Sequence, residues 1–424
     1  MTERLLQFIW QMQYFNKNDL RTSENETLQI ITSGRYNTDQ GPDFQEASIK
    51  INSTTWVGNI EVHVKASDWD LHKHGEDKNY RNIILHVVWE NNNLKEGSLL
   101  EAVPVLVLAD RVSKLLLERY EGIMEARCTI PCSGSVATVP DLVWAGWKAR
   151  LVAERLTRKA KTVEKHLEET KGHWEEVFWW VLARNFGVSV NQDAFEAIAR
   201  SVRVKILAKH KQQIHQLEAF LMGQAGLLDF EFQEDYPKML QKEFRFYQRK
   251  YHFTPVHEPV HFLRMRPGNF PTIRLAQLAK LIQQSSSLFA KIKSTSSVKQ
   301  LREMLMVTAN DFWHYHYRFD EISAFRKKVL GKQMTDNIII NTIVPVVFAY
   351  GEINQELRYK DKALRWLEAV AAEQNHITRE WTKLGAVNQT AYDSQAYIEL
   401  TQSYCSKKGC LHCAVGASIL KRLV

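Results

Sequence analysis

The hydrophobic pattern of this chain changes from the period of a strand to the period of a helix along its length. Up to about residue 108, apolar residues alternate with polar ones in short runs, as in β-strands. From about residue 140 almost to the C-terminus, they recur at the spacing of amphipathic helices. A chain of 424 residues also exceeds the usual size of one hydrophobic core. We therefore expect an α+β protein, with an α/β domain containing a mixed sheet at 1–125 and a large, mainly α-helical domain at 126–424.

The N-terminal domain is predicted to begin with a helix and to continue with strands. The helix covers 2–15, because Thr2 stands at a capping position ahead of apolar residues at helical spacing. A mostly polar segment, 67–80, fits a second helix. The predicted strands are Leu28–Thr32, Ala47–Asn52, Trp56–Lys65, Asn82–Trp89 and Val103–Leu108.

Three ionisable side chains share one face of the strand predicted at 56–65. Because side chains alternate along a strand, Glu61, His63 and Lys65 project to the same side. Asp43 lies in a Gly-Pro-Asp-Phe turn one hairpin earlier, and a chain reversal at 52–55 brings its carboxylate close. Two carboxylates are suitable ligands for Mg²⁺ or Mn²⁺. With a base or cation beside them, they suit metal-assisted hydrolysis of a phosphodiester.

This order of elements and residues resembles the PD-(D/E)XK nuclease superfamily. Pro42-Asp43 is similar to the first half of its signature and Glu61-Val62-His63 to the second. The sequence departs from the pattern at His63, where the superfamily usually has lysine, and the nearest lysine on that face is Lys65. The resemblance covers about the first quarter of the chain. It implies a Mg- or Mn-dependent endo- or exonuclease acting on DNA or RNA, in which His63 or Lys65 activates water or holds phosphate.

The same residues also fit a protein without catalytic activity. Alternation of polar and apolar residues is typical of any half-exposed strand, and Gly-Pro-Asp is an ordinary turn. In this interpretation the chain is a scaffold that binds nucleic acid or a protein partner and contains a structural metal site. It would show salt-sensitive binding without turnover.

A histidine-rich segment follows the candidate nuclease residues. His72 and His74 are two residues apart, and His86 lies within the apolar strand 82–89. One hypothesis is a metallohydrolase that binds Zn²⁺ or Mn²⁺ through these three imidazoles. The alternative is that His86 is a hydrogen-bonded core residue, while His72 and His74 line the rim of the nuclease-like cleft and bind substrate phosphate.

An excess of positive charge is compatible with a nucleic-acid partner. The formal net charge is +8 and the pI is near 9.0. The helix predicted at 147–161 has a strongly basic polar face. Arg264, Arg266 and Arg274 surround a predicted helix start after a Pro-Gly-Asn turn, an arrangement that suits phosphate binding. A structural turn with solvated arginines is the alternative.

The five cysteines predict a metal site. Cys405, Cys410 and Cys413 have the spacing Cys-x4-Cys-x2-Cys, and three thiolates need a fourth ligand to hold Zn²⁺ or a 4Fe-4S cluster. Some PD-(D/E)XK nucleases hold an iron–sulfur cluster with one cysteine remote from three C-terminal ones, and this layout resembles theirs. Packed cysteines without a metal are the alternative. The fourth ligand is predicted to be Cys132, which follows Pro131, with Cys128 and His412 as the other choices.

The remaining segments bear on location. The first helix carries Glu3, Arg4 and Gln7, which does not fit a signal peptide. The apolar run 338–350 is too short for a membrane span and contains Asn341 and Pro345, so we expect a buried helix, no membrane contact and a cytoplasmic protein. Nothing in the sequence sets an oligomeric state.

A second resemblance covers the whole chain. The segments 266–271 and 341–345, together with the C-terminal cysteines, resemble an uncharacterised bacterial family of unknown function. That family carries no established activity to transfer.

Overall fold

A computed structural model of the chain describes residues 1–72, 78–80, 82–92, 103–285 and 287–421. It has a mixed sheet in its N-terminal part and a mostly helical remainder, which confirms the predicted α+β class. The chain divides into two compact units. The first consists of Met1–Trp147, Lys383–Ala386 and Leu400–Val424, and the second of Lys148–Thr382 and Val387–Glu399. The C-terminal cysteines therefore belong to the unit that contains the sheet, and a domain boundary at 125/126 stays a prediction.

The sheet of the first unit has six strands within the described residues. The order is β1-β3-β4-β5-β6, with β2 paired to β3. The pairs β1–β3, β2–β3 and β3–β4 are antiparallel, whereas β4–β5 and β5–β6 are parallel. The elements are α1 (Glu3–Met12), β1 (Leu28–Thr32), β2 (Arg35–Tyr36), β3 (Phe44–Ile51), β4 (Thr54–Lys65), α2 (Asp68–Leu71), β5 (Ile83–Glu90), β6 (Val105–Val107) and α3 (Lys114–Glu125).

The hairpin between β3 and β4 determines which residues meet. Ile51 pairs with Thr54, so the turn is made by Asn52 and Ser53, and Asn52 adopts φ 51°. The pairing register shifts between Phe44 and Ala47, where Glu46 has φ 59°, as in a bulged strand. The extra residue bends β3 at its start. Asp43, just ahead of it, consequently lies beside the middle of β4.

The second half of β4 is buried on both faces. Ile60 and Val62 are fully buried, and on the opposite face Glu61 and His63 are 4% and 1% exposed. Helix α1 packs against β4 and covers part of the strand. This helix forms because its apolar residues recur at helical spacing. The Thr2 hydroxyl also caps it by accepting a hydrogen bond from Leu5 N–H. The polar face of β4 is therefore interior surface.

The second unit and the end of the chain are helical. In α5 the cluster Phe178, Trp179 and Trp180 is buried, and His173 caps the helix by accepting from Glu176 N–H. A short hairpin is formed by β7 (His316–Arg318) and β8 (Glu321–Ile322). The helices are α4 (Asp141–Glu169), α5 (Trp174–Phe186), α6 (Gln192–Ser201), α7 (Val204–His210), α8 (Ile214–Gln224), α9 (Asp235–Tyr251), α10 (Pro271–Gln284), α11 (Leu288–Ser294), α12 (Val298–Leu305), α13 (Lys332–Ile338), α14 (Val344–Ile353), α15 (Leu357–Ala369), α16 (His376–Lys383), α17 (Ala391–Glu399) and α18 (Ala414–Lys421).

The apolar run around residue 340 forms a core helix, as predicted. Helices α13 and α14 are joined by a π-helical turn at Ile339–Ile343, just ahead of Pro345, which has no N–H to donate. Among the described residues, the continuous stretch Lys332–Ile353 is the one with the length and apolarity of a membrane span, and 78% of its most apolar window is buried inside the protein. The cytoplasmic location stays a prediction.

Much of the basic face of α4 is paired within the second unit. Lys148 Nζ lies 2.6 Å from Asp393 Oδ1, and both Arg155 and Arg158 bind the Glu399 carboxylate. Lys159 Nζ donates to Asn341 Oδ1 at 2.9 Å. Much of the positive charge of this helix is therefore used in contacts within the second unit. They leave less of it to attract a polyanion.

Candidate functional site

The structure brings Asp43 and Glu61 together, as the sequence predicts. The backbone N–H of Asp43 donates to Glu61 Oε2 at 3.0 Å, and the N–H of Val62 donates to Asp43 Oδ2 at 3.1 Å. Each carboxylate is thus held by the backbone of the other's segment. Because the contacts are reciprocal, the bend at the start of β3 fixes both groups at once.

Helix α1 adds polar residues that the sequence analysis did not assign to the site. Gln7 Nε2 donates to Asp43 Oδ1 at 2.8 Å, and Tyr36 Oη donates to Gln7 Oε1 at 3.2 Å. Glu3 accepts from Gln7 Nε2 at 3.3 Å and lies near both carboxylates. The available signal was the pair Glu3 and Gln7, four residues apart on a helix that is otherwise apolar on that side.

Burial and mutual repulsion favour protonation of the carboxylates. Burial raises the pKa of Asp43 to about 6, a rise that the Gln7 hydrogen bond opposes and the neighbouring Glu3 increases. Burial and then the charge of Asp43 raise the pKa of Glu61 to about 9. Near neutral pH the pair therefore retains a proton. A bound cation could replace that proton, since it would neutralise the same repulsion.

The histidines of the first unit form a chain beside Glu61. His63 Nε2 lies 3.7 Å from Glu61 Oε1 and 3.3 Å from His72 Nδ1, while His63 Nδ1 lies 2.9 Å from His86 Nε2. His63 thus meets His72 and His86 through opposite ring nitrogens. These rings do not converge on one point, which disfavours a shared metal for His72 and His86. His74 lies outside the described residues.

Lys65 differs from Glu61 and His63 in its exposure to solvent. It is the last residue of β4 and is exposed, whereas Glu61 and His63 on the same face are buried. His63 therefore occupies an interior position on this face of β4. Lys65 is left at the edge, where it can meet a phosphate only from solvent.

The structure also brings the cysteines of the first unit together. Cys132, Cys405, Cys410 and Cys413 are buried, whereas Cys128 is exposed. Burial first, and then the neighbouring thiols, raise the pKa of Cys132 to about 12 and that of Cys410 to about 11. The pKa values of Cys405 and Cys413 are raised as well, mainly by burial. His412, the other alternative for a fourth ligand, is exposed.

Close backbone packing holds the C-terminal cysteines in place. A Cβ atom at Gly416 would lie 2.2 Å from the Cys410 carbonyl oxygen, so α18 can start here only with glycine at that position. The N–H groups of Val415 and Gly416 point to the Cys413 sulfur, which lowers the pKa of that thiol against the effect of burial. Backbone N–H groups aimed at a sulfur favour the thiolate, which is the form that binds metals.

In the described parts of the chain, no three His, Cys, Asp or Glu side chains already surround a common point as the ligands of one ion do.

The three arginines predicted to bind phosphate lie together in the second unit. Arg264, Arg266 and Arg274 line one cavity, next to Asn269. Arg264 and Arg266 are exposed, whereas Arg274 is 7% exposed.

The sequence matches a protein family over residues 3–376, and the chain belongs to that family. The family's description is "Protein of unknown function (DUF2851)". Curated proteins and solved structures gave no match. The resemblance to a family of unknown function is confirmed over residues 3–376, a range that does not include the C-terminal cysteines, and no comparison bears out the nuclease resemblance.

Proposed function

We propose that this protein is a Mg- or Mn-dependent nuclease that hydrolyses phosphodiester bonds of DNA or RNA. The observation that carries the proposal is the pair of carboxylates, Asp43 and Glu61, fixed by reciprocal backbone hydrogen bonds beside His63. The sheet around them supports the resemblance to the PD-(D/E)XK superfamily. A helix precedes antiparallel strands β1, β3 and β4, and β5 returns parallel to β4.

The residues present fit a hard divalent cation by their chemistry. Asp43 and Glu61, with Glu3 nearby, supply carboxylate oxygens, and a bound cation would offset the burial and mutual repulsion that raise the pKa values of Asp43 and Glu61. The cation would supply water activation and neutralise developing charge on the phosphate. Gln7 would orient Asp43.

The histidine chain gives a path for a proton. His63 is buried beside Glu61, and its Nε2 lies 3.3 Å from Nδ1 of the exposed His72. We assign His63 the role of holding a proton near the carboxylates and His72 that of exchanging it with solvent. His86 would hold the His63 ring from the other side. His72 and the exposed Lys65 are also the residues available to bind substrate phosphate at the rim.

The test is an assay of the full chain on labelled single- and double-stranded DNA and RNA with Mg²⁺ or Mn²⁺. We expect metal-dependent cleavage that is abolished by D43A and E61A. K65A is the matched control, because it removes a charge from the exposed end of the same strand and should reduce activity only modestly. Equal activity in wild type, D43A and E61A would refute the assignment.

A non-catalytic scaffold that binds nucleic acid or a protein partner is the second candidate, and one observation favours it. Both carboxylates already accept backbone hydrogen bonds, and both nitrogens of His63 contact protein groups. A Mn²⁺ titration separates the two candidates. Binding that is lost in E61A supports the enzyme, whereas salt-sensitive binding of nucleic acid without Mn²⁺ binding or turnover supports the scaffold.

We propose further that Cys132, Cys405, Cys410 and Cys413 hold a Zn²⁺ ion or a 4Fe-4S cluster that stabilises the first unit. Four buried thiols from distant parts of the chain fit such a group in donor chemistry. The predicted cytoplasmic location would keep these thiols reduced.

Serine substitution tests the cysteine site. C410S should release the metal and lower the melting temperature by several degrees, because binding free energy at a structural site is folding free energy. C128S is the matched control, since Cys128 is exposed and should leave both unchanged. Absorbance of iron–sulfur charge transfer or elemental zinc identifies the group. Pure protein with neither metal, and with thiols that all titrate freely, would contradict the proposal.

A further inference from the structure

Arg274 is a buried cation of the second unit that has no ion pair among the described residues. Its side chain is 7% exposed, yet burial alone is the cause that lowers its pKa, to about 10. No carboxylate of the described residues pairs with it. Arg155, a buried arginine of the same unit, binds Glu399 Oε2 at 3.2 Å instead. Burying a guanidinium without a counter-charge is costly unless something else supplies the negative charge.

Neutral groups hold the Arg274 guanidinium in one orientation. Nη1 donates to Gln277 Oε1 at 2.9 Å and Nη2 to Asn269 Oδ1, while Gln277 Nε2 is itself fixed by the Lys328 carbonyl at 3.1 Å. The Nε–H group is buried and has no hydrogen-bond partner within the described residues. The cation is therefore positioned but not neutralised. Such a group is preorganised for an anion.

The surroundings of Arg274 are open and positive. It lines a cavity of about 450 Å³, a volume in the range of small-molecule sites. Among the described residues, the cavity lining includes Arg264 and Arg266 but no carboxylate. The nearest acid on the adjoining helix, Asp336, is already bound to Arg302 and Lys332.

Two residues of the cavity wall have unusual backbone conformations. Val188 has φ 48° and Arg264 has φ 62°, although neither is glycine. A β-branched residue in this left-handed region is strained, and such strain persists where the surrounding structure enforces it. Amide groups of Gln333 and Asn337, four residues apart on the wall, add neutral donors.

We propose that this cavity binds the phosphate monoester of a small ligand, with Arg274 as the buried anchor and Arg264 and Arg266 closing over the anion. The phosphate supplies the charge that Arg274 lacks, and the cavity volume accommodates a nucleotide-sized molecule. The backbone of a nucleic acid is disfavoured, because the anchor is one deeply buried arginine, Arg274. The cavity shares no residue with the proposed nuclease site, since every residue in its lining belongs to the second unit.

The experiment measures binding of inorganic phosphate, a nucleoside 5′-monophosphate and the unphosphorylated nucleoside to the full chain by calorimetry and by thermal shift. Ionic strength is matched with chloride. We expect saturable binding of phosphate and of the monophosphate, and none of the nucleoside. R274Q should weaken binding at least tenfold, about 1.4 kcal/mol. R365S, which removes an exposed arginine of the same unit, is the matched control and should bind as wild type does.

A double variant covers the case in which R274Q does not fold. R264S/R266S changes exposed side chains, so the fold should persist while phosphate binding weakens several-fold. Absence of saturable phosphate binding, unchanged binding in either variant, or binding of an oligonucleotide alone would each overturn the proposal. Loss of nuclease activity in D43A with phosphate binding retained would separate this site from the other one.

Discussion

Two buried glutamates, one in each unit, show how similar burial produces different chemistry. Glu218 is fully buried in the second unit and accepts hydrogen bonds from Asn310 at 2.6 Å, Tyr236 at 2.8 Å and Trp313 at 2.9 Å. Glu61 is 4% exposed in the first unit and faces another carboxylate, Asp43. Burial raises the pKa of Glu218 to about 7 and that of Glu61 to about 9.

The neighbours decide what each carboxylate can do. The three donors around Glu218 all stabilise its ionised form, so this carboxylate is satisfied where it stands. Burial and the acidic neighbours of Glu61 disfavour its ionised form, so it holds a proton near neutral pH. Burial alone thus does not mark a functional site. A buried acid beside other acids is a stronger indication of one, because a bound proton or cation relieves their repulsion.

The largest expected effect is on catalysis, and the two glutamates provide a matched pair. E61Q should reduce nuclease activity at least about a hundredfold, since a neutral amide cannot bind the cation or share the proton. E218Q should retain activity per folded molecule. Both are measured as initial rates normalised to the folded fraction by circular dichroism. A loss in E218Q as large as in E61Q would show that the assay reports stability, and the comparison would fail.

The next effect is on the free energy of unfolding, and here E218Q is the variant that we expect to do damage. E218Q should lower the free energy of unfolding by about 1–3 kcal/mol, because a glutamine NH₂ group would face a donor now bound to the carboxylate. Denaturant unfolding at pH 8, where Glu218 is ionised, measures this change. Y236F, which removes one donor and leaves the carboxylate, should cost less. If E218Q is as stable as wild type, the three hydrogen bonds are not what holds this carboxylate.

The fold of the first unit was predictable where contacts are local. Strand β1 begins and ends at the predicted residues, Leu28 and Thr32, because period-two alternation is clear between flanking turns. The start of β3 at Phe44 was missed by three residues, since the shifted register before Ala47 interrupts the alternation. The meeting of Asp43 with β4 was predictable because a tight hairpin fixes it.

The rest of the site depends on packing between distant segments. Gln7 reaches Asp43 through the docking of α1, and Glu61 pairs with His86 through a parallel register that no local pattern encodes. Lys65 was predicted to share the site because it shares a face. The alternation of residues shows which face of a strand a side chain lies on. It does not show how far along the strand other elements cover that face.

The smallest effect tests the sign of the pKa shift at Glu61. The folded protein holds the Glu61 proton up to a pKa of about 9, whereas the ordinary value is 4.5. Between these values the folded state binds more protons than the unfolded chain, so this group makes the free energy of unfolding fall as pH rises.

The E61Q variant removes that loss of stability, because its side chain resembles the protonated acid. At pH 8 we expect E61Q to be more stable than wild type by at least about 1 kcal/mol, and at pH 4 to be equal to it. Taking the difference from wild type cancels the groups that do not interact with Glu61, including Glu218, whereas Asp43 is coupled to Glu61 and contributes to the difference. Saturating Mn²⁺ should abolish the advantage of E61Q by stabilising only wild type. An E61Q variant that is less stable than wild type at every pH would mean that Glu61 is held like Glu218, as a structural group.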